Sequence, residues 1–157
     1  MSSRVRLVLL VLLLVTSACV RLGSAAAAHA RVGLAAHEAR ERAGVVRFAR
    51  RLLGVRYTYG GTSPSSGFDC SGFTRFVYAH FGIALPHSSF AQFDLGRRVP
   101  RGSLEPGDLV FFDGLGHVGL YLGRGLFIHA PHSGTRVSID PLGGWYAAEY
   151  DGARRVI

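Results

Sequence analysis

Residues 117–130 read His-Val-Gly-Leu-Tyr-Leu-Gly-Arg-Gly-Leu-Phe-Ile-His-Ala. Two apolar runs, His117 to Leu122 and Leu126 to Ala130, flank Gly123-Arg124-Gly125. Glycines on both sides of the arginine predict a tight β-hairpin. A hairpin constrains more than its own two strands, because its loop sets their register. With a three-residue loop Leu122 faces Leu126, Gly119 faces His129 and His117 faces Pro131. His117 and His129 then share one face as diagonal neighbours, within reach of each other's side chains. A register shifted by one residue would separate them.

The same reading extends along the chain. Asp108 to Asp113 predicts a strand after the Glu105-Pro106-Gly107 turn, and Arg136 to Ile139 and Ala153 to Ile157 predict further strands. Before these the pattern is helical. Glu38 to Leu53 places Val45, Val46, Ala49, Leu52 and Leu53 on one face and its charged residues on the other, with Gly54 as C-cap. Arg56 to Gly67 reads as loop. Cys70 to about Phe81 forms a second helix ended by Gly82. Ser88 to about Leu95 forms a short third, capped by Ser88 or Ser89. Helices first and an antiparallel meander after them predict one α+β domain over residues 38–157.

Asp69-Cys70-Ser71-Gly72 sits where a Gly/Ser-rich loop meets the second helix. A thiol at a helix start faces free N–H groups and the positive end of the dipole, and both favour the nucleophilic thiolate. Cys70 with His117 and His129 therefore suggests nucleophile, base and orienting residue. Residue by residue, blander roles compete. Cys70 could be inert packing, His117 a surface histidine at a strand end, His129 a satisfied core histidine, and Asp69 a helix cap. Asp108 and Asp113 look like turn or edge groups, and His29, His37, His80, His87 and His132 like surface residues. Zinc ligation by Cys70, His117, His129 and His132 matches no common spacing, so no metal is expected.

The N-terminus carries Arg4 and Arg6, an apolar run Leu7 to Val15, then Thr16-Ser17-Ala18-Cys19. The apolar run is far short of the roughly 20 residues a spanning helix needs, so residues 1–18 read as a secretory signal. Small residues ending in Ala-Cys resemble a bacterial lipobox, with Cys19 the lipidated first residue of the mature chain, although Thr16 stands where that pattern prefers Leu. Cleavage after Ala18 or near Ala28-His29-Ala30, without lipidation, is the rival. Residues 19–37 read as a flexible small-residue tether. The chain would then be exported to the cell envelope, facing the periplasm from a membrane anchor or secreted. The formal charge is +8, carried by arginine alone. It suits an anionic wall or membrane surface. No basic stripe interleaved with aromatics marks a nucleic-acid site, and none is expected.

Taken in order, Tyr57-Thr58-Tyr59-Gly60-Gly61, Asp69-Cys70-Ser71-Gly72, Leu85-Pro86, Gly107-Asp108-Leu109-Val110-Phe111-Phe112, His117-Val118-Gly119-Leu120-Tyr121-Leu122-Gly123 and Phe127-Ile128-His129-Ala130 resemble the NlpC/P60 family of cell-wall cysteine peptidases. The set looks most like its small outer-membrane lipoprotein murein endopeptidases. The resemblance covers roughly Val45 to Ile157. It implies a papain-like α+β fold and a peptidoglycan substrate, cut by hydrolysis with no cofactor. It aligns Cys70 with the nucleophile, His117 with the base, His129 with the orienting residue and Tyr57 with an oxyanion donor. Asp69 and Ser88 align with positions that grip the stem peptide. His87 departs from the pattern, which often has Arg after Leu-Pro. The bond cut is left open between the γ-D-glutamyl–diamino acid bond and the D-alanyl–diaminopimelyl cross-link. Also open are control by a protease or adaptor, a thiol amidase or acyltransferase on the same fold, and a non-catalytic wall-binding or scaffolding role.

Overall fold

A computed structural model of the protein describes residues 29–157. The expected signal peptide, Cys19 and most of the expected tether lie outside the described residues. The chain divides into two units, Met1–Ala39 and Arg40–Ile157. In the first, residues 29–39 are helical. This differs from the flexible tether expected up to residue 37. Ala30, Ala35, Ala36 and Ala39 explain it, since alanine has the highest helix propensity and a small-residue composition is not by itself a coil signal.

The second unit opens with helical residues 40–50, here α1. Val45 and Ala49 are fully buried and Leu52 nearly so, as the amphipathic pattern requires, but Leu53 is exposed. The helix tightens before Gly54. Arg51, Leu52 and Leu53 donate to the carbonyls three residues back, satisfying groups a helix end leaves open. The expected loop 56–67 contains a small hairpin, β1 (Thr62–Ser63) with β2 (Gly67–Phe68). Helix α2 is Cys70–Ala79 and α3 is Ser89–Phe93, capped by Ser88.

The main sheet contains β3 (Arg97–Arg98), β4 (Leu109–Phe112), β5 (His117–Gly123), β6 (Leu126–His129), β7 (Ser138–Pro141) and β8 (Tyr150–Arg155), with α4 (Gly144–Ala148) before the last strand. Its order is β3-β8-β4-β5-β6-β7, antiparallel throughout. The meander runs from β4 to β7, and β8 returns to the far side of β4. β7 and β8 start two residues later and three residues earlier than expected. Neither β3 nor α4 has an apolar period to announce it.

The sheet is covered on both faces. Leu109, Phe111, Val118, Leu120 and Ile128 pack with Val45, Phe73, Val77 and Tyr78 of the helices. Val110, Phe112, Tyr121 and Phe127 pack on the other side with Tyr146 and Tyr150. That explains why Leu109–Phe112 is continuously apolar rather than alternating. Each fully buried phenylalanine contributes roughly 1.5–3 kcal/mol. Asp108, expected at an edge, is fully buried. It grips Arg155 at 2.6 Å and 2.8 Å, tying the start of β4 to the end of β8.

Candidate active site

Asp69 builds the start of α2. Its Oδ1 accepts from the Gly72 N–H at 2.6 Å and from the Ser71 hydroxyl at 3.2 Å. Its Oδ2 accepts from the Gly60 N–H at 3.0 Å and meets His87 Nε2 at 2.8 Å. The capping role is thus present, and the same carboxylate holds the 57–61 loop against the helix. Gly72 makes that approach possible, since a Cβ there would stand 2.1 Å from the Gly61 carbonyl oxygen. From the other side Gln92, fully buried on α3, takes the Thr74 hydroxyl at 2.7 Å and donates to the carbonyls of Ser71 and Pro86. The first turn of α2 is therefore held by buried polar bonds as well as by packing.

Cys70 opens this helix with its thiol 4.0 Å from the Gly116 carbonyl oxygen. The N–H groups at the helix start favour thiolate, as expected, but they are outweighed. Burial pushes the thiol above its ordinary value and the Asp69 charge adds to this. The N–H groups of Val118, Ser71 and Cys70 itself pull the other way without prevailing. A thiol in this setting needs a base to give up its proton.

His117 stands at the start of β5, after a turn whose residues Asp113, Gly114 and Leu115 all have positive φ. A bulge in β8 frees Asp151 to accept from the Leu115 N–H at 2.8 Å, which pins the turn. The predicted register holds through the hairpin, with Leu120 opposite Ile128 and Tyr121 opposite Phe127. Its loop differs from expectation. The turn is Arg124-Gly125, both with positive φ, and a bulge between Tyr121 and Gly123 restores the three-residue count. Successive positive φ values mark the hairpin turn whose twist matches that of the strands. His117 Nε2 consequently lies 2.7 Å from His129 Nδ1. Burial pushes His117 down to about 3, with His129 and His132 adding to the fall. His129 is fully buried and also lowered by burial, against an upward pull from Asp140. Burial thus raises the thiol and lowers the imidazole, and both shifts favour the neutral forms.

Two clefts meet at Tyr57, Cys70 and Gly116. One, about 280 Å³, is also lined by His117, His132, Trp145 and Tyr146. The other, about 330 Å³, is also lined by Tyr59, Asp69, His87 and Ser88. Every candidate residue among those described therefore lies at one of the two clefts, except His129, which sits behind His117. His87 and His132 are exposed, as expected, and each also lines a cleft. Three residues escaped the sequence reading. Asp140 of β7 meets His129 Nε2 at 2.6 Å. Tyr146 of α4 packs its ring 5.3 Å from that of His129 and 6.4 Å from that of His117. Trp145 beside it is 55% exposed at the cleft. A strand was expected up to Ile139, but residues 130–137 separate β7 from β6, and the turn at Ser133-Gly134 in so long a connection does not fix a register, so Asp140 could not be paired with His129.

The NlpC/P60 family model matches residues 54–155. The chain is 44% identical over 100 residues to a protein of Listeria innocua described as "Probable endopeptidase p60", covering 62% of this chain and 21% of that one. It is 39% identical over 118 residues to the gamma-DL-glutamyl hydrolase of Bacillus subtilis, covering 71% of this chain and 28% of that one. It thus spans well under a third of either relative's length. Among solved structures, the peptidoglycan hydrolase RipB of Mycobacterium tuberculosis matches with a TM-score of 0.68 at 34% identity, covering 77% of this chain and 67% of that one.

Proposed function

Because this chain belongs to the NlpC/P60 family, we propose that it is a peptidoglycan hydrolase that cuts the peptide part of the wall through Cys70, His117 and His129. The observation that carries this reading is the His117–His129 contact of 2.7 Å behind a cleft that Cys70 and His117 share. His117 accepts the thiol proton as Cys70 sulfur attacks the carbonyl carbon of the scissile amide. The oxyanion so formed is met by the Cys70 backbone N–H and the Tyr57 hydroxyl. The C–N bond then breaks, and the leaving amine takes the proton back from His117. Water, deprotonated by His117, cleaves the thioester and restores the thiol. His129 keeps the His117 ring oriented throughout.

The two clefts on either side of Cys70 suit an extended peptide crossing the nucleophile, with Asp69 and Ser88 gripping one arm. Similarity to a gamma-DL-glutamyl hydrolase favours the γ-D-glutamyl–diamino acid bond over the D-alanyl cross-link. Export follows from the leader, with Cys19 as the lipid anchor. No cofactor enters this chemistry.

Digestion of purified murein sacculi by the protein, with Cys70→Ala beside it, tests the reading. Soluble fragments with shortened stems from the wild type alone are expected. Loss of cross-linked dimers with intact stems would move the cut to the cross-link. No fragments from a folded wild-type protein would shift the weight to wall binding or scaffolding without catalysis.

A further inference from the structure

We propose that Asp140 is a positioning residue that sets the proton arrangement of both histidines and so turns the lone pair of His117 Nδ1 toward Cys70. The inference rests on the thiol-hydrolase reading above and adds a fourth member to it.

The polarity follows atom by atom. Asp140 Oδ2 lies 2.6 Å from His129 Nε2. An ionised carboxylate only accepts, so the proton is on Nε2. A neutral imidazole carries one N–H, which leaves His129 Nδ1 bare. That bare nitrogen lies 2.7 Å from His117 Nε2 and must receive a proton from it. His117 has then spent its own N–H, and its Nδ1 is the nitrogen left to take the thiol proton. The opposite arrangement would set the His129 Nε2 lone pair against a carboxylate lone pair at 2.6 Å. It would also make His117 carry its proton on Nδ1, where it could not act as base.

The strands hold this geometry. Ser138 of β7 pairs directly with His129, and Asp140, two residues on, shares its face. The Ser138 hydroxyl donates to Asp140 Oδ2 at 3.2 Å. The carboxylate is 38% exposed while His129 is sealed, so the charge sits at the rim and its effect reaches inward through the imidazole. The other titratable groups against the pair are His132, from the connection between β6 and β7, and Tyr146 of α4.

The test reads tautomers and thiol reactivity, neither of which needs the wall substrate. In ¹⁵N-histidine-labelled protein, His117 and His129 should both carry their proton on Nε2. D140N, which keeps the shape and removes the charge, should lose that single arrangement. It should also slow alkylation of Cys70 by iodoacetamide at neutral pH by about tenfold to a hundredfold, less than the full contribution of a positioned base. The thermal midpoint should stay near that of the wild type, and D140E should restore part of the rate. A wild-type His129 protonated on Nδ1, or folded D140N and D140A alkylating at the wild-type rate, would overturn the proposal. Tautomers that respond to D140N in a protein inert on sacculi would sink the hydrolase reading instead and leave the positioning role standing.

Discussion

At Cys70 and His117 the local signal and the burial point in opposite directions, and burial prevails. A helix start lowers a thiol's pKa, yet Cys70 is raised. A surface imidazole titrates near neutrality, yet His117 is pushed down to about 3 from 6.5. The second shift has a consequence for stability. Because the folded value lies below the unfolded one, the unfolded chain binds more protons between them. The stabilisation from a neutral His117 is fully present above about pH 6.5 and is lost as pH falls through about 3. His129, lowered in the same direction, adds to it. Urea unfolding should show a midpoint that falls steadily between pH 7 and pH 4, and His117→Gln should flatten part of that slope. Equal slopes in the two proteins would mean that His117 is not held neutral by the fold. Asp69 had two readings from its sequence position, helix cap or substrate grip. Its cap bonds to the Gly72 N–H and the Ser71 hydroxyl are formed, and it also lines the cleft beside Cys70.

Among the elements, the β5–β6 hairpin was the most legible. Its register could be counted because the loop is short and glycine-marked, and the bulge at its end preserved the count. Gly119 is the element's weak point. A Cβ there would stand 2.6 Å from the Phe127 ring and 3.2 Å from His129 Cβ. Gly119→Val should therefore destabilise the domain by about 1–3 kcal/mol, the usual range for overpacking. It should also reduce activity by more than the loss of folded protein explains, because the clash with Phe127 pushes on β6, which also carries His129. A variant that keeps full stability and full activity would show that β5 and β6 do not approach so closely. β7 and α4 were poorly legible for a different reason. Their residues are half-exposed and lack a period, so their places depend on what they pack against.

For the whole molecule, closure depends on β8 returning to β4. Arg155 fastens it through Asp108 and through Glu105 at 2.7 Å, and Glu105 also meets Arg42 of α1 at 3.0 Å. A buried pair of this kind is weak evidence for net stability, but losing one partner strands a buried charge. If Cys19 is the anchor, Cys19→Ala should move the protein from the membrane fraction to the soluble one. Unchanged fractionation would argue against lipidation as the anchor.

By itself the sequence determined the α+β order of elements, the helix start under Cys70 and the hairpin that puts His117 and His129 on one face. All three follow from short-range periodicity, capping residues and a short loop, which act between near neighbours in the chain. Tertiary structure decided the rest. Asp140 reaches His129 across a pairing that no loop sets, and Asp108 becomes a buried staple only because Arg155 arrives from the far end of the domain. His87 and His132 become cleft residues because loops distant in sequence meet at Cys70. Titration belongs with these. A pKa responds to how much water is excluded around a group, and that depends on every segment that packs over it.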